Sequence, residues 1–249
     1  MRAAVTVISA VLSLAVAAAG CWLMYENGGL WFLIGYIALC AVFFPIAVIL
    51  HELGHVIFGA MSGMKVKMSR LNPFLTSASC TVMPLKSKNI KRRLIITTLG
   101  GIVLNALFLA LGAAAFALGG KLVILTFVAP SSLYLFLINA VPLEYASGKT
   151  DMLAAAEAVK GEPSYLVLER VLTIQGMLSE GAKLEDIDEQ FFYSVPQVAE
   201  DDAAFIMLVS LRADYYKAKG DEANAAKWEE RLSSLLEYLP EGYEVSECD

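Results

Sequence analysis

Histidine is nearly absent from this 249-residue chain, which holds only 2. Charge is scarce as well: 18% of residues are Asp, Glu, Lys or Arg, against roughly 25% in an ordinary soluble domain. With 57% hydrophobic residues and a mean hydropathy of +0.61, that excludes a disordered or collagen-like chain and argues against a purely soluble enzyme. The cysteines number 4, at positions 21, 40, 80 and 248, and show no metal spacing. They read as small apolar fillers kept reduced, which excludes a disulfide scaffold. No basic excess exists either. The net charge of −6 argues against nucleic acid as a partner.

What is present is unevenly spread. Residues 1–150 hold 11 Lys and Arg against 3 Asp and Glu, a net of +8, while residues 151–249 hold 8 against 22, a net of −14. Almost all long apolar runs lie in the first part. The pattern predicts a membrane domain over 1–150 and an acidic, soluble helical domain over 151–249. A spanning helix needs about 20 apolar residues. Four stretches meet that length: Ala3 to Met24, Leu30 to Ala60, Leu94 to Leu118 and Leu122 to Pro142. The expected fold is therefore all-α, a polytopic bundle of about four transmembrane helices in the lipid bilayer, followed by soluble helices. The link between the last two spans is only Gly119, Gly120 and Lys121, so those spans are antiparallel neighbours.

Orientation follows from the segment 62–93, which carries Lys65, Lys67, Arg70, Lys86, Lys88, Lys91, Arg92 and Arg93 and no acid. The positive-inside rule makes it cytoplasmic. The N-terminus and everything after Pro142 then face the cytoplasm of a multi-pass cell-membrane protein, and the YENGG turn at 25–29 faces outward. The first apolar run carries a single basic residue, Arg2, and is long for a cleaved leader, so it reads as a retained anchor. AAAGC at 17–21 offers a lipoprotein cleavage box as the alternative.

Both histidines fall in one five-residue string, HELGH at 51–55. On a helix, positions i and i+4 share a face, so His51 and His55 can reach one metal ion. Glu52 projects beside them and can accept a proton from a metal-bound water. Zinc lowers the pKa of such a water toward 7, and the carboxylate acts as base. An acid at the middle of a membrane helix costs at least about 2.5 kcal/mol. A bound cation offsets that cost and occupies the ring nitrogens. A third ligand has to come from elsewhere. The acids near the end of the fourth span, Glu144 and Asp151, are the candidates, because they match HELGH in depth.

HELGH late in one span, with a later span ending in NAVP at 139–142, resembles the site-2 protease family of intramembrane zinc metalloproteases. The resemblance covers about residues 40–152. It implies a zinc metalloendopeptidase that hydrolyses peptide bonds in or near the transmembrane segments of membrane-protein substrates. It implies zinc ligation by His51, His55 and an Asp that follows the Asn-x-x-Pro segment, with Glu52 catalytic. Here that Asp is Asp151, whereas the family spacing points to Ser147; Glu144 is the fallback. GGIVLN at 100–105 is similar to the family's Gly-x-x-x-Asn feature, matching Gly101 and Asn105. Asn105 and Asn139 would then flank the cleft and bind substrate carbonyls or steady an oxyanion. Helix packing alone is the competing reading for Gly101 and Asn105. The stretch 64–85 looks like the family's β-hairpin beside the metal, which can pair with an unwound substrate strand; a plain basic loop is the alternative. A catalytically silent membrane scaffold or chaperone that kept a metal site is the rival function.

The tail reads as helices over 151–160, 164–179, 184–193, 200–218 and 221–239. RADYYKAKGDEANAAKWEERL, at 212–232, resembles a tetratricopeptide helix-turn-helix, with a small helical bundle as the alternative. The tail could bind a regulatory protein, present substrate to the cleft, or act as a solvated stabilising domain. Asp186, Asp188, Glu200, Asp201 and Asp202 lack the EF-hand order and read as a solvated face.

Overall fold

The structure is a computed structural model that describes residues 1–71, 78–145 and 148–238. Cys248, the last residue of the expected 221–239 helix and the middle of the 64–85 stretch lie outside the described residues. The chain is mostly helical and divides into two units. One comprises Met1–Val82 with Leu94–Ala156, and the other Met83–Arg93 with Glu157–Asp249. The division falls six residues beyond the expected boundary at 150, so that Asp151 belongs with the apolar unit. It also assigns eleven residues of the basic segment to the acidic unit.

In the first unit, α1 runs Arg2–Ser62, β1 Met64–Leu71, β2 Ala78–Pro84, α2 Ile90–Leu118 and α3 Val128–Ala140. A tighter 3-10 coil, Gly120–Phe127, leads into α3. Three helical stretches, Arg2–Ser62, Ile90–Leu118 and Gly120–Ala140, are long and apolar enough to cross a membrane. Were α1 straight, its 61 residues would extend about 92 Å, some three times the hydrocarbon thickness. It is broken at Gly29, whose φ of 67° and ψ of −155° suit a residue without a side chain. Beyond the break the chain turns back. A Cβ on Gly20 would lie 2.0 Å from the Tyr36 hydroxyl, whereas 16 residues of straight helix would separate the two by about 24 Å. The expected 25–29 turn coincides with this break.

Met24 and Tyr36 are buried with Val123 at one level, and Phe43 and Ala47 with Val128 at the next, where Phe127 meets Phe43 edge-on. α1 and α2 meet backbone to backbone. A Cβ on Gly54 would fall 2.4 Å from the Gly100 carbonyl oxygen, and one on Gly100 2.4 Å from that of Gly54. After α1, Gly63 (φ 83°) caps the helix in the left-handed conformation, and the chain enters the β1–β2 hairpin expected over 64–85.

A second, two-residue-per-strand hairpin follows α3. β3, Glu144–Tyr145, pairs antiparallel with β4, Gly148–Lys149. Its base is closed by Thr150, whose N–H donates to the Leu143 carbonyl (2.9 Å) while its hydroxyl donates to that of Val141 (2.9 Å). The same oxygen accepts from the Leu153 N–H, capping α4, Asp151–Lys160.

The second unit contains α5 Pro163–Ser179, a 3-10 turn Leu184–Asp186, α6 Gln190–Tyr193, α7 Ala203–Ala218 and α8 Glu222–Leu236. The helix expected over 184–193 is two short turns instead. Ile187 is extended, and Asp188 spends its carboxylate on the Gln190 N–H (2.9 Å), which restarts the coil. That interruption turns both Ile187 and Phe192 into a core shared with Val167, Val171, Ile174, Leu208 and Tyr215. α7 begins at Ala203 rather than 200 because Asp202 caps it, accepting from the N–H groups of Ala204 and Phe205. α7 and α8 form an antiparallel pair turned at Gly220 (φ 72°), the one helix-turn-helix expected there. Arg212 is buried in this unit: its guanidinium donates twice to the Phe192 carbonyl (3.0 and 2.6 Å) and stacks on Tyr193 and Trp228.

Candidate metal centre

His51, Glu52 and His55 lie on one buried turn of α1, exposed by only 6, 7 and 8%. Their ligand atoms fall within 4.8 Å of one another. Asp151, at the first position of α4, completes the group. Its Oδ2 lies 3.2 Å from His51 Nε2 and 3.5 Å from His55 Nε2, and the two Nε2 atoms are 3.3 Å apart. Glu144, the other candidate, is exposed on β3 opposite Lys149. The β3–β4 hairpin explains why Asp151 reaches the histidines despite its late position. β3 pairs with β4, and the Thr150 bond to Leu143 brings the chain back to its starting point.

α2 supplies the surroundings through residues four apart on one stripe, Thr97, Gly101 and Asn105. His55 Nδ1 lies 2.9 Å from the Thr97 carbonyl oxygen. A carbonyl only accepts, so Nδ1 carries the proton and the neutral ring presents a bare lone pair at Nε2. His51 Nδ1 lies 2.8 Å from the Asn105 amide nitrogen, and Asn105, 1% exposed, has a buried amide oxygen with no partner among the described residues. Exchanging the amide's nitrogen and oxygen by a 180° turn gives that oxygen the Nδ1–H as its donor, and in that arrangement His51 Nε2 is bare as well. Gly101 leaves the space between: a Cβ there would lie 2.5 Å from His51 Cε1 and 2.7 Å from Nε2 of each histidine.

Three acceptor atoms therefore converge on one point in a buried site. Asp151 Oδ2 has no hydrogen-bond donor among the described residues. Such a cluster of lone pairs repels itself unless a cation or a proton lies between them. The observed edges of 3.2, 3.3 and 3.5 Å match the spacing of about 3.3 Å between ligand atoms on a tetrahedral zinc. The residues fit a metal with an open fourth position.

Glu52 makes one hydrogen bond among the described residues: the Cys80 thiol on β2 donates to its Oε2 at 2.9 Å. Burial first, and then the Glu52 carboxylate, push the Cys80 thiol well above its ordinary range, so it stays protonated. Of the two asparagines expected to face substrate, Asn105 is engaged with His51. Asn139, half-buried near the end of α3, donates its amide to the Leu135 carbonyl one turn back (3.1 Å) and keeps its side-chain oxygen to offer.

Sequence reasoning missed Thr97, Cys80 and Thr150. Thr97 acts through its backbone, which leaves no residue-type signal. Cys80 read as a filler. Thr150 was discoverable, since Thr before Asp at a helix start is a capping signature. Compared with protein-family models, with curated proteins and with solved structures, the chain matches none.

Proposed function

We propose that this chain is a multi-pass membrane zinc metalloprotease of the site-2 type, cutting transmembrane protein substrates near the cytoplasmic face. The observation that carries the reading is the triangle of His51 Nε2, His55 Nε2 and Asp151 Oδ2, three converging acceptors with tetrahedral spacing and a glutamate beside them. A zinc ion held there would supply Lewis acidity and a water of lowered pKa. The break at Gly29 supports reading α1 as two crossings, which with α2 and α3 makes four. The basic 62–93 segment then sets both termini in the cytoplasm.

Glu52 takes the proton of the attacking water and delivers it to the amine of the departing segment. His55 and His51 are held in the ligating tautomer by Thr97 and Asn105, and the hydrogen-bond energy of both rings is already committed before substrate arrives. The Asn139 side-chain oxygen and the β1–β2 hairpin are available to an unwound substrate strand. A peptide bond inside a helix has its carbonyl shielded, so unwinding precedes attack. Regulation falls to the acidic unit as a docking place for a partner protein.

Glu52→Gln tests the reading. The variant should keep the metal and lose cleavage of a co-expressed transmembrane reporter, and it should trap the uncut substrate. Retained cleavage would refute the mechanism.

A further inference from the structure

We infer that Cys80 is the positioning residue for Glu52, its thiol fixing one carboxylate oxygen so that the other is presented for proton transfer. The inference rests on the hydrolytic reading above. The terminal torsion of a glutamate is broad and nearly two-fold, so an unheld carboxylate spends much of its time misdirected. Glu52 is 7% exposed, and the Cys80 bond to Oε2 at 2.9 Å is its one hydrogen bond among the described residues. That leaves Oε1 free of the thiol. A thiol suits the task because it is a weak donor. It orients the carboxylate without bringing a second charge to it.

The strand that carries Cys80 is held by its neighbour in the sheet. β2 pairs with β1 on one side. Beyond Pro84 the chain enters the segment 83–93, which is fixed within the second unit. Ser87 donates both its N–H (2.9 Å) and its hydroxyl (2.6 Å) to Glu180, and Lys91 donates to the Val159 carbonyl (3.0 Å). Gly176 is pressed so close that a Cβ would lie 2.7 Å from the Ser87 backbone.

The full chain in detergent micelles, with fluorescein-labelled casein as a general unfolded probe, provides the test. Cys80→Ala should lower kcat roughly tenfold at unchanged KM and unchanged zinc content, as expected for a misdirected base. Cys80→Ser, which restores a donor, should recover most of that loss. A kcat for Cys80→Ala within twofold of the parent, or no recovery in Cys80→Ser, overturns the inference.

A second readout needs no turnover. The S–H stretching band of Cys80, isolated as the infrared difference between the parent and Cys80→Ala, should shift when Glu52 is replaced by Leu. An unmoved band overturns the contact. Failure of the hydrolytic reading looks different: Glu52→Gln cleaves casein as well as the parent, whatever Cys80 does. That result removes the role assigned to Cys80, while the S–H band still reports the contact.

Discussion

Alanine at position 101 would place a methyl carbon 2.5 Å from His51 Cε1 and 2.7 Å from the Nε2 atoms of both His51 and His55. Ordinary contacts of carbon are about 3.5–4.0 Å, so the rings would have to retreat by roughly 1 Å. Neither ring is free to do so. His55 is tied through Nδ1 to the Thr97 carbonyl at 2.9 Å, and His51 to Asn105 at 2.8 Å, and both are buried. Metal–ligand distances tolerate about 0.2 Å, several times less than the displacement required. Disturbing the partners of ligands typically costs 10–100-fold in metal affinity, and a direct push on two ligands at once should reach at least that. Overpacking adds about 1–3 kcal/mol of destabilisation. The assay is zinc content of the purified protein against a graded series of competing chelator, read by elemental analysis, with thermal unfolding in parallel. Gly35→Ala is the control. It lies in α1 with no atom within 4 Å of the added carbon, and so should bind zinc as the parent does. A Gly101→Ala protein that binds zinc within twofold of the parent and melts at the same temperature would refute the placement of the two rings around a shared ion.

Two further outcomes follow from the geometry. Asp151→Ala should release the metal, whereas Glu144→Ala should retain it, because only Asp151 lies within 3.5 Å of both histidines; elemental analysis of the two purified variants decides between them. In the second unit, the Ser87 hydroxyl and then the Ser87 N–H hold the Glu180 carboxyl below the usual carboxylate range. A depressed folded value contributes stability that is full above the unfolded carboxylate range and lost as pH falls through the lowered value. Amide-exchange protection over 83–93 should therefore weaken on acidification across that window in the parent and stay flat in Glu180→Ala; identical profiles would show that the pair does not anchor the segment.

Much of the site could be read in the chain before any fold was known. His51, Glu52 and His55 are legible because a helix stacks i and i+4, and because two histidines and an acid stand out in an apolar run. The turn at Gly29 was visible as YENGG, and Gly101 and Asn105 as a four-residue spacing. The family resemblance favoured Asp151 over Glu144, but the residues by themselves did not decide between them. The choice depended on the pairing of β3 with β4 and on a bond from Thr150 back to Leu143, which no local pattern announces. Nor was the role of Asn105 legible. An Asn in an apolar helix needs a polar partner, but whether that partner is a substrate or His51 is decided by how two helices cross. The single helix expected over 184–193 failed for a related reason. Propensity favoured a continuous coil, and the burial of both Ile187 and Phe192 on one core required a break.

The sequence by itself determined the periodicities: which residues share a helical face, where apolar runs are long enough to cross a bilayer, and where charge of each sign gathers. These are properties of neighbours along the chain, carried by 1.5 Å of rise and 100° of rotation per residue. Only the tertiary structure decided what meets across elements: Gly54 against Gly100, the Cys80 thiol on Glu52, and Asp151 between two imidazoles from a helix a hundred residues earlier. Those contacts are set by how closely two backbones approach and by where buried polar atoms find partners. Each is a sum over many weak interactions distant in sequence, which is why no short motif encodes it.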